Sequence, residues 1–328
     1  MPSGRSGEGP WRTTRRAVVA LASIGAVAAI FGTVRVASPQ FEGRPPRRHL
    51  GRSTAPLRPQ LLTYSTVVEN RYWDITVRDV GSGQTRRITR QSSMTMACDW
   101  THDGGRLAFM TNRDGNLEIY SMAADGSDWR RLTNTTRNDY GPEWSPDGRH
   151  IAYAEDVGGG LLQIFLANPD GSSRVQLTSG TAGGYAPVWS PDGTRIAFVA
   201  GTVLKTMASD GSDQVTLFTD SAEKMPTDWS ADGTRVLFMA RVAGIFKLDT
   251  IRLVDGAVEP VPTGDYDTWA ARWSPDGSLI SFYSYGIASE GFPTGMAAVF
   301  LMNADGTDLR QVTTLTANDR SWHPLWGP

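Results

Sequence analysis

Histidine and cysteine, two residue types that often carry covalent and acid–base catalysis, are rare in this chain. Its 328 residues include four histidines and one cysteine. No Gly-x-Ser-x-Gly sequence, which would place a serine nucleophile, accompanies His49, His102, His150 and His323. No His/Cys pair has the spacing of zinc ligands, and we expect Cys98 to be a small buried residue. The sequence thus predicts no catalytic residue, no metal ligand and no cofactor.

A recurring set of large side chains is the better candidate for a binding site. Four residues before each of six regularly placed tryptophans stand Met96, Tyr140, Tyr185, Met225, Trp269 and Trp322. We predict a ligand site formed by Tyr140, Tyr185, Trp269 and Trp322, with the carboxylates of Asp139 and Asp267 beside the rings. Such rings stack on sugars or peptide side chains, and the carboxylates would add specificity. The alternative is that the rings pack between neighbouring repeats.

The tryptophans belong to a repeat that positions these side chains. Trp100, Trp144, Trp189, Trp229 and Trp273 each begin the phrase Trp-Ser-Pro-Asp-Gly or a close variant, at intervals of 44, 45, 40 and 44 residues. Proline, aspartate and glycine in this order favour a tight turn between two strands. A fixed period of this length with several short strands per copy is typical of the blades of a β-propeller.

The two ends of the repeat region predict how the ring closes. A second-strand sequence, Leu61–Tyr64, opens the region without a tryptophan strand before it, and a first-strand sequence, His323–Trp326, closes the region without a second strand after it. The two fragments complete one blade, and pairing them removes two free sheet edges. We therefore predict an all-β, six-bladed propeller over residues 61–328, closed by its C-terminal strand.

The repeat resembles that of TolB-type propellers, known as PD40. The resemblance rests on Trp-Ser-Pro-Asp-Gly-x-x-Ile-Ala-Phe, on the run Asn-Arg-Asp-Gly-Asn-x-Glu-Ile-Tyr that begins at Asn112, and on the Asp-Gly-Ser and Leu-Thr pairs that follow it. It extends from Leu61 to Trp326. Such repeats also occur in propellers attached to prolyl-oligopeptidase-like enzymes, so the resemblance implies a fold rather than one activity. TolB itself carries an α/β domain before its propeller, and here the segment 38–60 stands in that place.

Charge is divided unevenly between the two parts of the chain. Residues 1–60 contain ten arginines and two glutamates, a net charge of +8, so the remaining residues carry −10 of the chain's total of −2. An acidic propeller does not match nucleic acid, which requires a basic surface. It suits basic partners or cations.

The N-terminal part predicts export or anchoring. Residues 1–16 form a basic head, 17–37 contain the uncharged run Ala17–Val34, and 38–60 form a Pro/Arg-rich linker. The run is at the lower limit for a membrane-spanning helix. It predicts a single-pass anchor with the propeller outside the cytoplasm, and the alternative is a cleaved signal peptide that leaves a secreted or periplasmic protein.

These observations predict a protein-interaction or ligand-binding module that acts through the mouth of the propeller channel. An insertion at 284–298, which contains Glu290, is expected to border that mouth. Protein or glycan is the expected partner at this face. The alternative is a carbohydrate-active lyase or hydrolase that uses carboxylates at the mouth.

Overall fold

The described chain forms six four-stranded antiparallel sheets. The computed structural model describes residues 61–68, 72–90, 93–285, 297–313 and 321–327. Each sheet is one blade, and the blades follow one another around a ring. The six-bladed all-β architecture is confirmed.

The strand bounds repeat from blade to blade. Blade 1 contains β1 (Leu61–Val68), β2 (Tyr72–Asp79), β3 (Thr85–Arg87) and the last strand of the ring, β24 (Ser321–Trp326). Blade 2 contains β4 (Thr95–Trp100), β5 (Arg106–Thr111), β6 (Glu118–Ala123) and β7 (Arg130–Arg131). Blade 3 contains β8 (Asp139–Trp144), β9 (Ile151–Asp156), β10 (Leu162–Ala167) and β11 (Val175–Gln176). Blade 4 contains β12 (Tyr185–Trp189), β13 (Arg195–Ala200), β14 (Val203–Ala208) and β15 (Val215–Phe218). Blade 5 contains β16 (Lys224–Trp229), β17 (Arg235–Val242), β18 (Ile245–Arg252) and β19 (Val258–Val261). Blade 6 contains β20 (Thr268–Trp273), β21 (Leu279–Ser284), β22 (Ala298–Asn303) and β23 (Arg310–Gln311).

Closure of the ring depends on the pairing of β24 with β1. The two strands run antiparallel, with Leu62 opposite Trp326 and Thr66 opposite Ser321. This pairing gives β24 the inner position of blade 1, the position that the tryptophan-bearing strand occupies in every other blade. The prediction of closure by the C-terminal strand is therefore confirmed.

Local hydrogen bonds explain why the repeated phrase forms a turn. In blade 3 the Ser145 hydroxyl donates to Asp147 Oδ1 at 2.6 Å and accepts the His150 N–H at 2.9 Å. Asp147 Oδ1 also accepts the Arg149 N–H at 3.0 Å, and Gly148 adopts a φ of 68°. Ser145, Asp147 and Gly148 of the repeated motif thus each stabilise the turn that connects the inner and second strands.

The Thr of each Leu-Thr or Ile-Thr pair ties the outer strand to the third strand. Thr133 Oγ1 accepts the Ile119 N–H at 2.9 Å and donates to Glu118 Oε2 at 2.6 Å. The same arrangement joins Thr178 to Gln163, with 2.7 Å between their oxygens. A buried threonine hydroxyl therefore fixes the outer strand in blades 1, 2, 3 and 6.

The inner strands carry a bulge next to the channel axis. The residue three before the repeat tryptophan has a positive φ in four blades: Gly141 (55°), Ala186 (52°), Ala270 (47°) and His323 (52°). The pairing register shifts at the same place in each of these blades. A left-handed backbone disfavours bulky side chains, which explains why small residues prevail at this position.

The described ranges contain no helix that is long and apolar enough to cross a membrane. The predicted anchor or signal within 17–37, the basic head and the linker 38–60 lie outside these ranges.

Candidate functional site: the axial channel

One residue from each inner strand lines the axial channel at the same level. These residues stand immediately before the repeat tryptophans: Asp99, Glu143, Val188, Asp228, Arg272 and Leu325. Four of them are ionisable, and we call Asp99, Glu143, Asp228 and Arg272 the charged layer. Three carboxylates share a single guanidinium there.

An ion pair crosses the channel within this layer. Arg272 of blade 6 donates to Glu143 Oε1 of blade 3, on the opposite side of the ring. The side chains of Arg272 and Glu143 are 18% and 10% exposed. The pair therefore connects opposite blades through a largely desolvated contact.

The two aspartates of the layer connect neighbouring blades. Asp99 Oδ2 in blade 2 accepts the Trp144 N–H of blade 3 at 2.7 Å. Asp228 Oδ2 in blade 5 accepts the Trp273 N–H of blade 6 at 2.7 Å, and its Oδ1 accepts the Trp229 N–H at 2.8 Å. Hydrogen bonds from backbone donors stabilise both carboxylates at the channel wall.

Burial is the main cause of the shifted pKa values of the three carboxylates in the charged layer. It raises the pKa of Asp99 and of Asp228 to about 6, and the positive charge of Arg272 opposes this rise in both. Burial also raises the pKa of Glu143 well above its usual value, and Arg272 again opposes the rise. The positive charge of Arg272 thus lowers the pKa of all three buried carboxylates and favours their ionised forms.

The charged layer separates two cavities on the channel axis. On the side of the repeated turns lies a cavity of about 460 Å³, which we call the tryptophan vestibule. Its wall includes all six repeat tryptophans: Trp100, Trp144, Trp189, Trp229, Trp273 and Trp326. On the other side lies a cavity of about 100 Å³, the apolar vestibule, where Ala, Pro and Met side chains surround Cys98 and His323. Glu143 and Arg272 contribute to the walls of both.

Cys98 lies on the apolar side of the layer. Its thiol donates to the Met96 carbonyl oxygen at 3.4 Å, and burial raises its pKa. A protonated thiol is a poor nucleophile. The residue is partly rather than fully buried, and it behaves as a small side chain in the channel wall.

A groove extends outward from the tryptophan vestibule between blades 3 and 4. This cavity of about 600 Å³, which we call the turn groove, shares Ser145, Pro146 and Trp189 with the vestibule. Asp147, Asp192 and Asp210 also line it. The vestibule and the groove therefore form a continuous depression on one face of the ring.

This face, which we call the turn face, carries a ring of aspartates. In a four-stranded meander the inner turn and the outer turn leave the sheet at the same end, so both sets of Asp-Gly turns lie on this face. The exposed aspartates of these turns are Asp103, Asp125, Asp147, Asp170, Asp192, Asp210, Asp232, Asp255, Asp276 and Asp305. Hydrogen bonds from turn hydroxyls and backbone N–H groups lower the pKa of nine of them, as Ser190 and Thr194 do for Asp192. The face is thus negatively charged at neutral pH.

The structure places three of the four sequence-predicted rings inside the protein. Tyr140, Trp269 and Trp322 are 4%, 5% and 2% exposed, and Tyr185 is partly exposed. Trp269 lies against Phe246 of blade 5 with 4.5 Å between ring centroids, so it fills space between blades 5 and 6. These contacts support the fold, and a ligand-binding role for the four rings stays a prediction.

The two predicted carboxylates lie apart from the charged layer. Asp139 is fully buried, and burial followed by the neighbouring carboxylates of Glu155 and Glu118 raises its pKa to about 8. Asp267 is partly exposed and accepts the Phe246 N–H at 2.7 Å. Glu290 and the insertion around it fall outside the described residues, apart from Ser284, Tyr285, Ala297 and Ala298. Within the described ranges no three His, Cys, Asp or Glu side chains are placed to hold a metal ion.

The sequence-based prediction missed the charged layer. The signal was present, because the residue directly before the repeat tryptophan is ionisable in four copies and aliphatic in two, Val188 and Leu325. An ionisable side chain is unusual on an inner strand whose neighbours are buried. Comparing this position across the copies would have identified the layer.

Comparisons with known proteins agree on the fold. The PD40 family, described as the TolB beta propeller domain, matches residues 58–206. An uncharacterized protein of Agrobacterium fabrum is 29% identical over 86 residues, which are 26% of this chain and 29% of that protein. A TolB homolog of Chlorobium chlorochromatii is 38% identical over 56 residues, or 17% of this chain and 13% of that protein. The crystal structure of TolB from Acinetobacter baumannii superposes with a TM-score of 0.69 at 16% identity, covering 82% of this chain and 67% of that one.

The matched segments span less than a third of these curated relatives' own lengths. The structural likeness, at 16% identity, concerns the fold alone.

Proposed function

Because the described part of the chain is a TolB-like propeller built from PD40 repeats, we propose that it works outside the cytoplasm as a membrane-tethered protein-binding module. Residues 17–37 would supply the tether. The axial channel and its two mouths would supply the contact surface.

The observation that carries this proposal is the form of the channel. The Arg272–Glu143 ion pair crosses the channel at the charged layer and lies between two separate depressions. The vestibule volume of about 460 Å³ falls within the range of about 300–1,000 Å³ that is usual for binding pockets. Concave sites on a rigid ring with short turns suit recognition of a protruding part of a partner.

Site-specific photo-crosslinking in the native organism tests the proposal. A photoreactive amino acid replaces His102 at the rim of the tryptophan vestibule, Tyr185 on the opposite side, or Val254, which is 86% exposed on an outer turn of blade 5. We expect one discrete protein adduct from position 102 or 185 and none from 254. Equal adducts from all three positions, or adducts from 254 alone, would contradict binding at the channel.

Location is tested independently of binding. Export predicts that a reporter fused after Pro328 is active when its folding requires an oxidising compartment. A reporter active only in the cytoplasm would overturn the extracytoplasmic part of the proposal and leave the binding part in place.

A further inference from the structure

The turn face has the charge and shape to receive a basic chain segment. Ten exposed aspartates surround the tryptophan vestibule, and the floor of the vestibule holds three carboxylates against one guanidinium. Several arginines of the described blades are paired with carboxylates outside this set of ten, as Arg106 is with Asp128 and Arg195 with Asp213, both at 2.8 Å. Two of the ten have an arginine of their own: Arg149 lies 3.9 Å from Asp147 and Arg252 lies 3.4 Å from Asp255. Excess negative charge therefore remains on this face.

The charge is concentrated where a ligand would bind. Low-dielectric walls around a cleft of one sign focus its electric field and raise the local concentration of counter-charged groups. The walls here are indoles and prolines, and the negative charge lies at the base. Indole rings also attract guanidinium and ammonium groups through their π faces.

The tryptophan vestibule and the turn groove are connected and can hold an extended chain segment as well as a single side chain. The turn groove shares Ser145, Pro146 and Trp189 with the vestibule and continues outward past Asp147, Asp192 and Asp210. A side chain that enters the vestibule can therefore belong to a polypeptide that runs along the groove between blades 3 and 4.

We propose that the turn face binds a basic segment of a partner protein, with one arginine or lysine side chain in the tryptophan vestibule and the following residues in the turn groove. The inference rests on the proposed binding function and specifies the chemistry of its partner. The carboxylates of Asp99 and Asp228 receive the inserted cation, and Asp192 and Asp210 in the groove receive the flanking basic residues.

Fluorescence anisotropy with the purified full chain in mild detergent tests this proposal. The probe is a fluorescein-labelled nine-residue peptide with arginine at alternate positions, and the control peptide carries citrulline, the neutral isostere, in place of each arginine. We expect saturable binding of the arginine peptide that weakens as salt increases, and no binding of the citrulline peptide.

Two aspartates with the same local chemistry form a matched pair of variants. Asp210 lies in the turn groove and accepts the Ser212 N–H and hydroxyl at 2.9 and 2.5 Å. Asp305 lies outside the groove in blade 6 and accepts the Thr307 N–H and hydroxyl at 2.9 and 2.6 Å. We expect Asp210→Asn to raise the Kd about threefold, as for one exposed charge pair, and Asp305→Asn to raise it less, because Asp305 contributes only to the overall charge of the face.

Asp99→Asn tests the vestibule itself. The amide oxygen can still accept the Trp144 N–H, while the negative charge is lost. We expect the Kd to rise at least about tenfold, because the lost partner is largely desolvated.

Three outcomes would overturn the inference. These are failure of the arginine peptide to bind, equal weakening by the Asp210 and Asp305 variants, and binding unaffected by Asp99→Asn. Any of them combined with a discrete adduct from His102 or Tyr185 leaves the binding module standing and refutes only its basic partner. Peptide binding without any channel adduct in cells refutes the module as proposed.

Discussion

Replacing Arg272 with methionine tests whether one cation holds the charged layer together. Methionine keeps much of the length and apolar contact of arginine but has no charge. The change leaves Glu143, Asp99 and Asp228 facing one another without a counter-ion. Removing one partner of a buried pair costs about 3–5 kcal/mol of unfolding free energy. The Arg272 and Glu143 side chains are only 18% and 10% exposed, so we treat them as a buried ion pair. We therefore expect Arg272→Met to lower the free energy of unfolding by about 3–5 kcal/mol at pH 7.5.

The loss should shrink on acidification. Asp99 and Asp228 have folded-state pKa values of about 6, above the ordinary value of about 3.9 for aspartate, and removal of Arg272 raises them further. Each carboxyl then binds its proton more tightly in the folded state than in the unfolded state, so falling pH favours the folded variant. Between pH 7.5 and 5 we expect the difference from the wild-type protein to fall by at least about 1.4 kcal/mol, which is one pKa unit for a single group.

Urea unfolding followed by tryptophan fluorescence at the two pH values provides the measurement. Arg310→Met is the control, because its ion pair with Asp308 is exposed by 46% and 47% and should contribute less than about 1 kcal/mol. If Arg272→Met lowers the free energy of unfolding by less than about 1 kcal/mol at pH 7.5, the reasoning is refuted, since a loss that small is typical of exposed ion pairs. An equal loss at both pH values would show that the carboxylates do not titrate as described.

Three further predictions concern the ring, its packing and its location. Deletion of residues 321–328 removes the inner strand of blade 1 and should lower the melting temperature sharply or cause aggregation; an unchanged melt would contradict closure by β24. Trp269→Ala should cost about 3–5 kcal/mol in a thermal or urea melt, because a ring that is 5% exposed leaves a cavity, whereas a stable variant that loses partner capture would favour a binding role. Protease added to cells stripped of outer layers should digest the propeller, and protection until the membrane is breached would reverse the proposed orientation.

The sequence predicts the blades because their determinants are local. The hydrogen bonds of the turn after Trp144 lie within the six residues from Ser145 to His150, and copies of this turn recur at a nearly constant period. Counting the strand sequences then predicts the closing strand, since a half-blade at each end of the region would leave two unpaired edges. These features require no knowledge of distant contacts.

The channel could not be predicted in the same way. Alternation along a strand places residues two apart on one face, but the bulge between Tyr140 and Glu143 breaks this alternation. The orientation of the predicted rings therefore could not be read from the period. Arg272 and Glu143 are 129 positions apart in the chain, and only closure of the whole ring brings them together.

The pairing of β1 with β24 has a consequence for synthesis of the protein. Leu62 is among the first residues of the propeller to be made, yet its partner Trp326 is 264 positions later in the chain. Blades 2 to 6 can form as each leaves the ribosome, whereas blade 1 must wait with one edge of β1 unpaired. A contact between such distant residues is slow to form because loop closure costs entropy before the contact is gained. During that interval the free edge of β1 is open to pairing with other chains, and ring closure by β24 is the step that removes it.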